Sequence, residues 1–238
     1  MIPLQQFSKS DSGEYCCRID LDLYDSPSCE VLATQAAAGR RLQLLEANPL
    51  NHAIAVRLWE DGYTAWLPLD KLAELEPSAE PYQAIALSRT EIEQRIPAII
   101  AFANAAMEQP NYYLWGGTVG PNYDCSGLIQ AAFSASGIWL PRDSCQQAAF
   151  TQRIPVGELL PGDLIFFAKQ NRVNHVALSL GEGYYIHSSG KEMGRNGIGI
   201  DQLSEQGYEV SRAYYRQLWG CGRLISSYQP VLETVVSS

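Results

Sequence analysis

The feature that most limits how this chain can fold is the segment from Glu74 to Pro81. It holds Pro77 and Pro81 and few apolar side chains, so it reads as a linker between two folding units. The boundary is expected near residue 80. A first domain then covers residues 1–80, with a loose tail to about Ser10, and a second covers 86–238.

The two sides of that linker carry different patterns. Upstream, Glu14–Tyr24, Arg41–Glu46, Ala53–Leu58 and Thr64–Pro68 are short runs of β-formers. Asp61-Gly62 marks a tight turn, and Ser26–Thr34 reads as a loop. Close-set short strands suggest a small β-barrel. Downstream, Ser88–Met107 is helical, with Thr90 and Glu93 as a capping box and Pro97 as a point of splitting or kinking. Leu128–Phe133 reads as a buried helix. Leu160–Phe167, Asn174–Leu180 and Gly183–Ser188 are three strands joined by turns, and Tyr208–Tyr215 and Cys221–Ile225 read as later strands. Helices followed by an antiparallel meander make an α+β domain.

With 46% hydrophobic and 18% charged residues, the 238-residue chain has an ordinary globular composition. Its net charge of -9, without a block of basic residues, argues against nucleic acid and anionic membrane as partners. No apolar run approaches the roughly 20 residues of a membrane span, and no secretory signal is visible, so the expected location is the cytoplasm. The six cysteines include no C-x-x-C pair, and no metal site or cofactor is expected. Cys16 and Cys17 should face opposite sides of a strand, and Cys16, Cys17, Cys29 and Cys221 read as small core residues.

Chemistry concentrates after the linker. Asn122-Tyr-Asp-Cys-Ser-Gly-Leu-Ile129 follows the glycine-bearing loop Tyr113–Pro121 and runs into the buried helix. A cysteine at a helix start meets free backbone N–H groups and the positive end of the macrodipole, which favour thiolate. Asp124 is placed to cap that helix. An inert, packed Cys125 is the alternative. Two of the chain's three histidines, His175 and His187, lie in the strands that follow. Antiparallel strands can bring them together, His175 as the base for Cys125 and His187 orienting it. A structural role for each is the alternative.

Six motifs occur in order: Tyr113-x-Trp-Gly-Gly, Asp-Cys-Ser-Gly-Leu (124–128), Leu-Pro-Arg-Asp-Ser (140–144), Pro-Gly-Asp-Leu-Ile-Phe-Phe (161–167), His-Val-Ala (175–177) and Ile-His-Ser (186–188). Together they resemble the NlpC-type (NlpC/p60) cysteine peptidases of bacterial cell-wall peptides over roughly residues 95–225. The upstream strands, with Asp-Gly-Tyr-x-Ala-Trp-Leu, resemble a bacterial SH3 domain. The resemblance implies a papain-like catalytic domain behind an SH3-like barrel. It implies Cys125 as nucleophile, His175 as general base and then acid, His187 as the orienting member, and Tyr113 as a hydroxyl that joins the Cys125 amide at the oxyanion.

Relatives with this barrel resemble enzymes that cut after γ-linked D-Glu in L-Ala-γ-D-Glu-diaminopimelate peptides and require a free amine on L-Ala. The resemblance puts Asp124 and Ser144 at that ammonium, with Tyr63 and Glu74 added from the barrel as one wall of the cleft. Arg142 is either a further substrate contact or a structural partner of Asp124 or Asp143. The expected partner is such a peptide, with no obligatory protein partner. An amidase or acyltransferase using the same triad, and a non-catalytic wall-peptide binder, are the alternative functions.

Overall fold

The computed structural model describes residues 13–45 and 49–230, so the tail expected up to Ser10 and the end of the expected strand at Glu46 lie outside the described residues. Two compact units divide the chain, one ending at Ile85 and the other covering Ala86–Ser227, and residues 228–230 return to the first. Pro230 lies against Gly62 in the first unit, where an added Cβ would come within 2.9 Å of its ring.

The first unit is one antiparallel sheet. Its strands are β1 (Glu14–Cys17), β2 (Leu21–Tyr24), β3 (Leu32–Ala36), β4 (Arg41–Leu44), β5 (Ala53–Leu58), β6 (Thr64–Pro68) and β7 (Leu75–Pro77), ordered β3-β2-β6-β5-β4-β1-β7. Alternation decides what is buried: Ile54, Val56 and Leu58 of β5 all point into a core shared with Leu21, Leu23, Leu42 and Leu67. Cys17 is buried and Cys16 only partly so, as opposite faces of a strand require. Two expectations change. The 26–34 loop ends early, because β3 begins at Leu32. The front of the expected linker is β7, pairing Leu75 with Cys17 and Pro77 with Tyr15. An edge strand tolerates Pro77 because its outer side needs no N–H.

The second unit opens with α1 (Arg89–Glu108). Its capping box is Ser88 with Glu91, two residues earlier than the expected Thr90 and Glu93. The Ser88 N–H donates to Glu91 Oε2 at 2.8 Å. The helix runs unbroken through Pro97. Next come α2 (Cys125–Ser134), α3 (Ser144–Phe150), β8 (Gln152–Ile154), β9 (Leu164–Lys169), β10 (Arg172–Gly181), β11 (Tyr184–Ser189), β12 (Gly197–Gln202), α4 (Glu209–Tyr215) and β13 (Leu218–Arg223). The sheet order is β12-β11-β10-β9-β13-β8. On one face, α1 and α2 bury Ile92, Ile99, Leu128, Ile129 and Phe133 against Phe166, Val176, Leu178 and Ile186. A second cluster joins Ile165, Phe167, Ala177, Tyr185 and Tyr214.

Residues 208–215, expected as a strand, form α4. Its buried residues Ser211 and Tyr214 are three apart, the spacing of a helix face and not of a strand face. Both units together are an α+β protein with an SH3-like sheet first. Among the described residues no helix is long and apolar enough to cross a membrane.

Candidate active site

Cys125 is the first residue of α2. Asp124 caps that helix, its Oδ1 accepting from the Gly127 N–H at 2.7 Å. Gly127 is a glycine for lack of space, since any Cβ there would collide with the Gly117 carbonyl oxygen. That close approach pins the helix start under the 113–121 loop. A second clamp comes from β11, where the Ser188 hydroxyl donates to the Tyr123 carbonyl at 2.6 Å.

The cysteine thereby enters a gap in the sheet. β10 and β11 pair from Leu178 and Ile186 to Gly181 and Tyr184. Earlier along β10, backbone groups meet the sulfur instead. Cys125 Sγ lies 4.0 Å from the Asn174 carbonyl oxygen and receives the Val176 N–H. The residue between them is His175. A register shift between Val173 and His175 marks a bulge at this point, a common device for re-aiming a side chain.

His175, His187 and Asp201 form a diagonal row across β10, β11 and β12. His175 Nε2 is 2.7 Å from His187 Nδ1, and His187 Nε2 is 2.9 Å from Asp201 Oδ2. The register explains the row. His187 lies opposite Gly199, so Asp201 is its diagonal neighbour on the same face. His175 pairs with Phe167 on the other side. Aromatic rings enclose the two imidazoles. Tyr214 stacks on His175 with centroids 4.4 Å apart and meets His187 edge-on at 4.8 Å. The Tyr214 hydroxyl is fixed by the Ser189 hydroxyl at 2.6 Å.

Burial dominates the electrostatics. It pushes the Cys125 thiol up to about 12, and the Asp124 carboxylate adds to that rise. The N–H groups of Val176 and Ser126 and the Arg142 guanidinium oppose it and are outweighed. Burial thus works against the thiolate that the helix start favours. Desolvation costs a buried anion more than the few dipoles return. Burial, then the neighbouring His187 and Lys169, carries His175 well below its ordinary range. Burial likewise lowers His187, against the opposing pull of Asp201. The resting site holds a neutral thiol beside a neutral imidazole. Tyr113 is pushed above the usual phenol range by burial first, with Cys125 and Asp124 adding to the rise.

Both depressed imidazoles link stability to pH. The fold keeps them neutral, while the unfolded chain takes up their protons below about 6.5. Their contribution is complete above that pH and is lost as pH falls toward the folded values, each by up to about 1.4 kcal/mol per pH unit. We expect the melting temperature to fall between pH 7 and pH 5 in calorimetry. A flat profile over that range contradicts the neutral buried pair.

Asp124 and Arg142 require reassignment. Arg142 is only 2% exposed and donates to Asp124 Oδ2 at 2.6 Å, to Asp124 Oδ1 at 3.2 Å and to the Ser126 hydroxyl at 2.9 Å. Arg142 thus has the structural partner that one of the two readings of the sequence gives it, Asp124. Asp124 also accepts from the Gly116 and Gly127 N–H groups and the Ser126 hydroxyl. Five donors meet a carboxylate with about four lone-pair positions, which leaves a substrate ammonium no free acceptor there. Ser144 is the buried first residue of α3. Tyr63 and Glu74 belong to the first unit. There Tyr63 packs on the core, its N–H donating to Asp61 at 3.0 Å, and Glu74 faces Arg18 at 3.5 Å. Asp201, Arg195 and Tyr214 escaped the sequence reading. The period-two alternation of Gly197-Ile-Gly-Ile-Asp201 is the signal that could have revealed the strand of Asp201.

Among the described residues no group of three or more His, Cys, Asp or Glu side chains could hold a metal ion. A buried thiol at a helix start, against the backbone that flanks a strand histidine backed by a second histidine, on an α+β scaffold, makes a candidate cysteine–histidine site. Residues 110–217 match the NlpC/P60 family, and residues 23–72 match the bacterial dipeptidyl-peptidase Sh3 domain. Residues 110–217 thus form an NlpC/P60 family domain, with a bacterial SH3 domain ahead of it. It is 39% identical over 100 residues to a gamma-D-glutamyl-L-lysine dipeptidyl-peptidase of Bacillus subtilis (strain 168), covering 41% of this chain and 33% of that protein. It is 30% identical over 190 residues to a protein of the same name from Bacillus cereus (strain ATCC 10987), covering 78% of this chain and 51% of that one. The chain thus spans a third to a half of these relatives. The crystal structure of an NlpC/P60 family protein from Bacillus cereus ATCC 10987 aligns with a TM-score of 0.49 at 25% identity, over 93% of this chain and 66% of that one.

Proposed function

We propose that this protein is a cysteine endopeptidase that hydrolyses the γ-D-glutamyl–meso-diaminopimelate bond of cell-wall stem peptides bearing a free N-terminal L-Ala, in turnover or recycling of peptidoglycan. The observation that carries the reading is the 2.7 Å contact from His175 Nε2 to His187 Nδ1, beside a sulfur that lies on the backbone flanking His175. With Nε2 engaged, Nδ1 of His175 is the nitrogen left for the thiol. A binding protein needs no such arrangement.

In this reading His175 takes the Cys125 proton as the sulfur attacks the γ-carbonyl of D-Glu. The Cys125 amide and the Tyr113 hydroxyl stabilise the oxyanion. His175 then returns the proton to the leaving amine of the diamino acid, and a thioester remains on Cys125. Water, deprotonated by His175, hydrolyses the thioester and releases L-Ala-D-Glu. Neutral resting groups suit this cycle, because the proton has to move in the first step.

The names of the two Bacillus relatives support a bond between γ-D-Glu and a diamino acid, and cleavage two residues from an amino end. A buried ammonium needs acceptors in a closed pocket. With Asp124 occupied, we assign Ser144 as one of them. The test is the purified protein with L-Ala-γ-D-Glu-diaminopimelate, its lysine counterpart and the N-acetylated and lactyl forms, read by mass spectrometry. We expect L-Ala-D-Glu from the free-amine peptides. Equal hydrolysis of the blocked forms refutes the requirement for an amine. Release of the lactyl group instead would make the protein an amidase.

A further inference from the structure

We infer that Asp201, held in place by Arg195, is a positioning residue that fixes which nitrogens of His187 and His175 carry protons, and thereby leaves His175 Nδ1 bare toward Cys125. The inference rests on Cys125 being the nucleophile of the proposed reaction.

The argument runs inward from a guanidinium. Arg195 donates from Nη2 to Asp201 Oδ2 at 2.7 Å, and an arginine neither loses its proton nor accepts a hydrogen bond. Ser211 donates its hydroxyl to Asp201 Oδ1 at 3.0 Å. Asp201 is lowered from its ordinary value: the penalty of burial is outweighed by His187, Arg195 and Ser211. It is therefore a carboxylate, an acceptor only. His187 Nε2, 2.9 Å away, must then carry hydrogen. In a neutral imidazole the other nitrogen, Nδ1, is bare. Facing it at 2.7 Å, His175 Nε2 must supply the proton for that bond. His175 Nδ1 is consequently a lone pair. Each assignment follows from the one before, and reversing the first would put an N–H against the thiol and abolish the base.

Gly199 shows that the seat of Arg195 is built in. It lies opposite His187 in the register, and an added Cβ would fall within the Arg195 guanidinium. The arginine thus occupies the space that a side chain at 199 would take. Since only the end of a flexible side chain stands in the way, Gly199→Ala should fold and simply move Arg195 off Asp201.

The test uses ¹⁵N-histidine-labelled protein at pH 7.5. With only three histidines, His52, His175 and His187, the ring signals can be assigned. We expect Nε2–H on both His175 and His187. Asp201→Asn should keep that pattern, because Arg195 holds the amide oxygen toward His187. Asp201→Ala should mix the tautomers, and Gly199→Ala should do so partly. Alkylation of Cys125 by iodoacetamide, followed on its own tryptic peptide, needs no substrate. It should slow by about tenfold or more in Asp201→Ala and less in Gly199→Ala. With a stem peptide, kcat should fall by about 10²–10⁴-fold at nearly constant KM. Unchanged tautomers in Asp201→Ala, or alkylation within about twofold of the parent in folded Gly199→Ala, overturns the inference. Altered tautomers and alkylation without any stem-peptide cleavage would uphold the relay and refute the proposed substrate.

Discussion

Cys125→Ala should abolish the proposed hydrolysis of the stem peptide while leaving the fold and substrate binding intact. The expected loss in kcat is on the order of 10⁴–10⁶-fold, the scale on which removal of a nucleophile acts. Little structure should be lost with it. The side chain is small and buried, and Asp124, not Cys125, caps α2. Loss of one buried sulfur should cost about 1 kcal/mol. The variant should therefore bind the peptide and hold it uncut, which calorimetric titration and mass spectrometry read separately. A variant that still cleaves would show that the nucleophile lies elsewhere. One that neither cleaves nor binds would show that Cys125 shapes the pocket. His175→Ala should match the loss in rate, since a thiol near 12 without its base is almost fully protonated at neutral pH.

Arg142→Ala should be among the most damaging substitutions for stability. It strands the Asp124 carboxylate, 6% exposed, beside a buried sulfur. Breaking one side of a buried, hydrogen-bonded ion pair costs about 3–5 kcal/mol. For a protein of this size that is a drop of roughly 6–20 °C in melting temperature. Asp124 would also act unopposed on Cys125, raising the thiol further and slowing its alkylation. Arg142→Met, which keeps bulk without charge, should be almost as harmful, because the uncompensated carboxylate is the cause. An unchanged melting temperature with a raised KM would instead make Arg142 a substrate contact, as one reading of the sequence has it.

What could be read in the sequence was local. Asp124 and Cys125 are adjacent, and a cap and a helix start need no distant partner to be recognised. The strands carrying His175 and His187 were visible for the same reason: each is a short β-forming run bounded by turns. The strands at Ala53–Leu58 and Thr64–Pro68 were legible as short β-forming runs on either side of the Asp61-Gly62 turn. Two misreadings were also local in origin. Leu75–Pro77 looked like linker because its proline and charged residues are tolerated only at a sheet edge. Residues 208–215 looked like a strand because aromatic and β-branched residues favour one, and tertiary packing of Ser211 and Tyr214 overrode that preference.

The sequence by itself located the candidate nucleophile, its helix and the two histidines, because those are set by residue type and short-range spacing. Only the tertiary structure decided how they work. The diagonal from His175 through His187 to Asp201 depends on strand register across β10, β11 and β12, which no single strand encodes. The pairing of Arg142 with Asp124 spans eighteen residues and rests on burial of both groups. Burial also made the resting cysteine a thiol: the helix start favours an anion, but desolvation outweighs it, and desolvation exists only once the chain has folded.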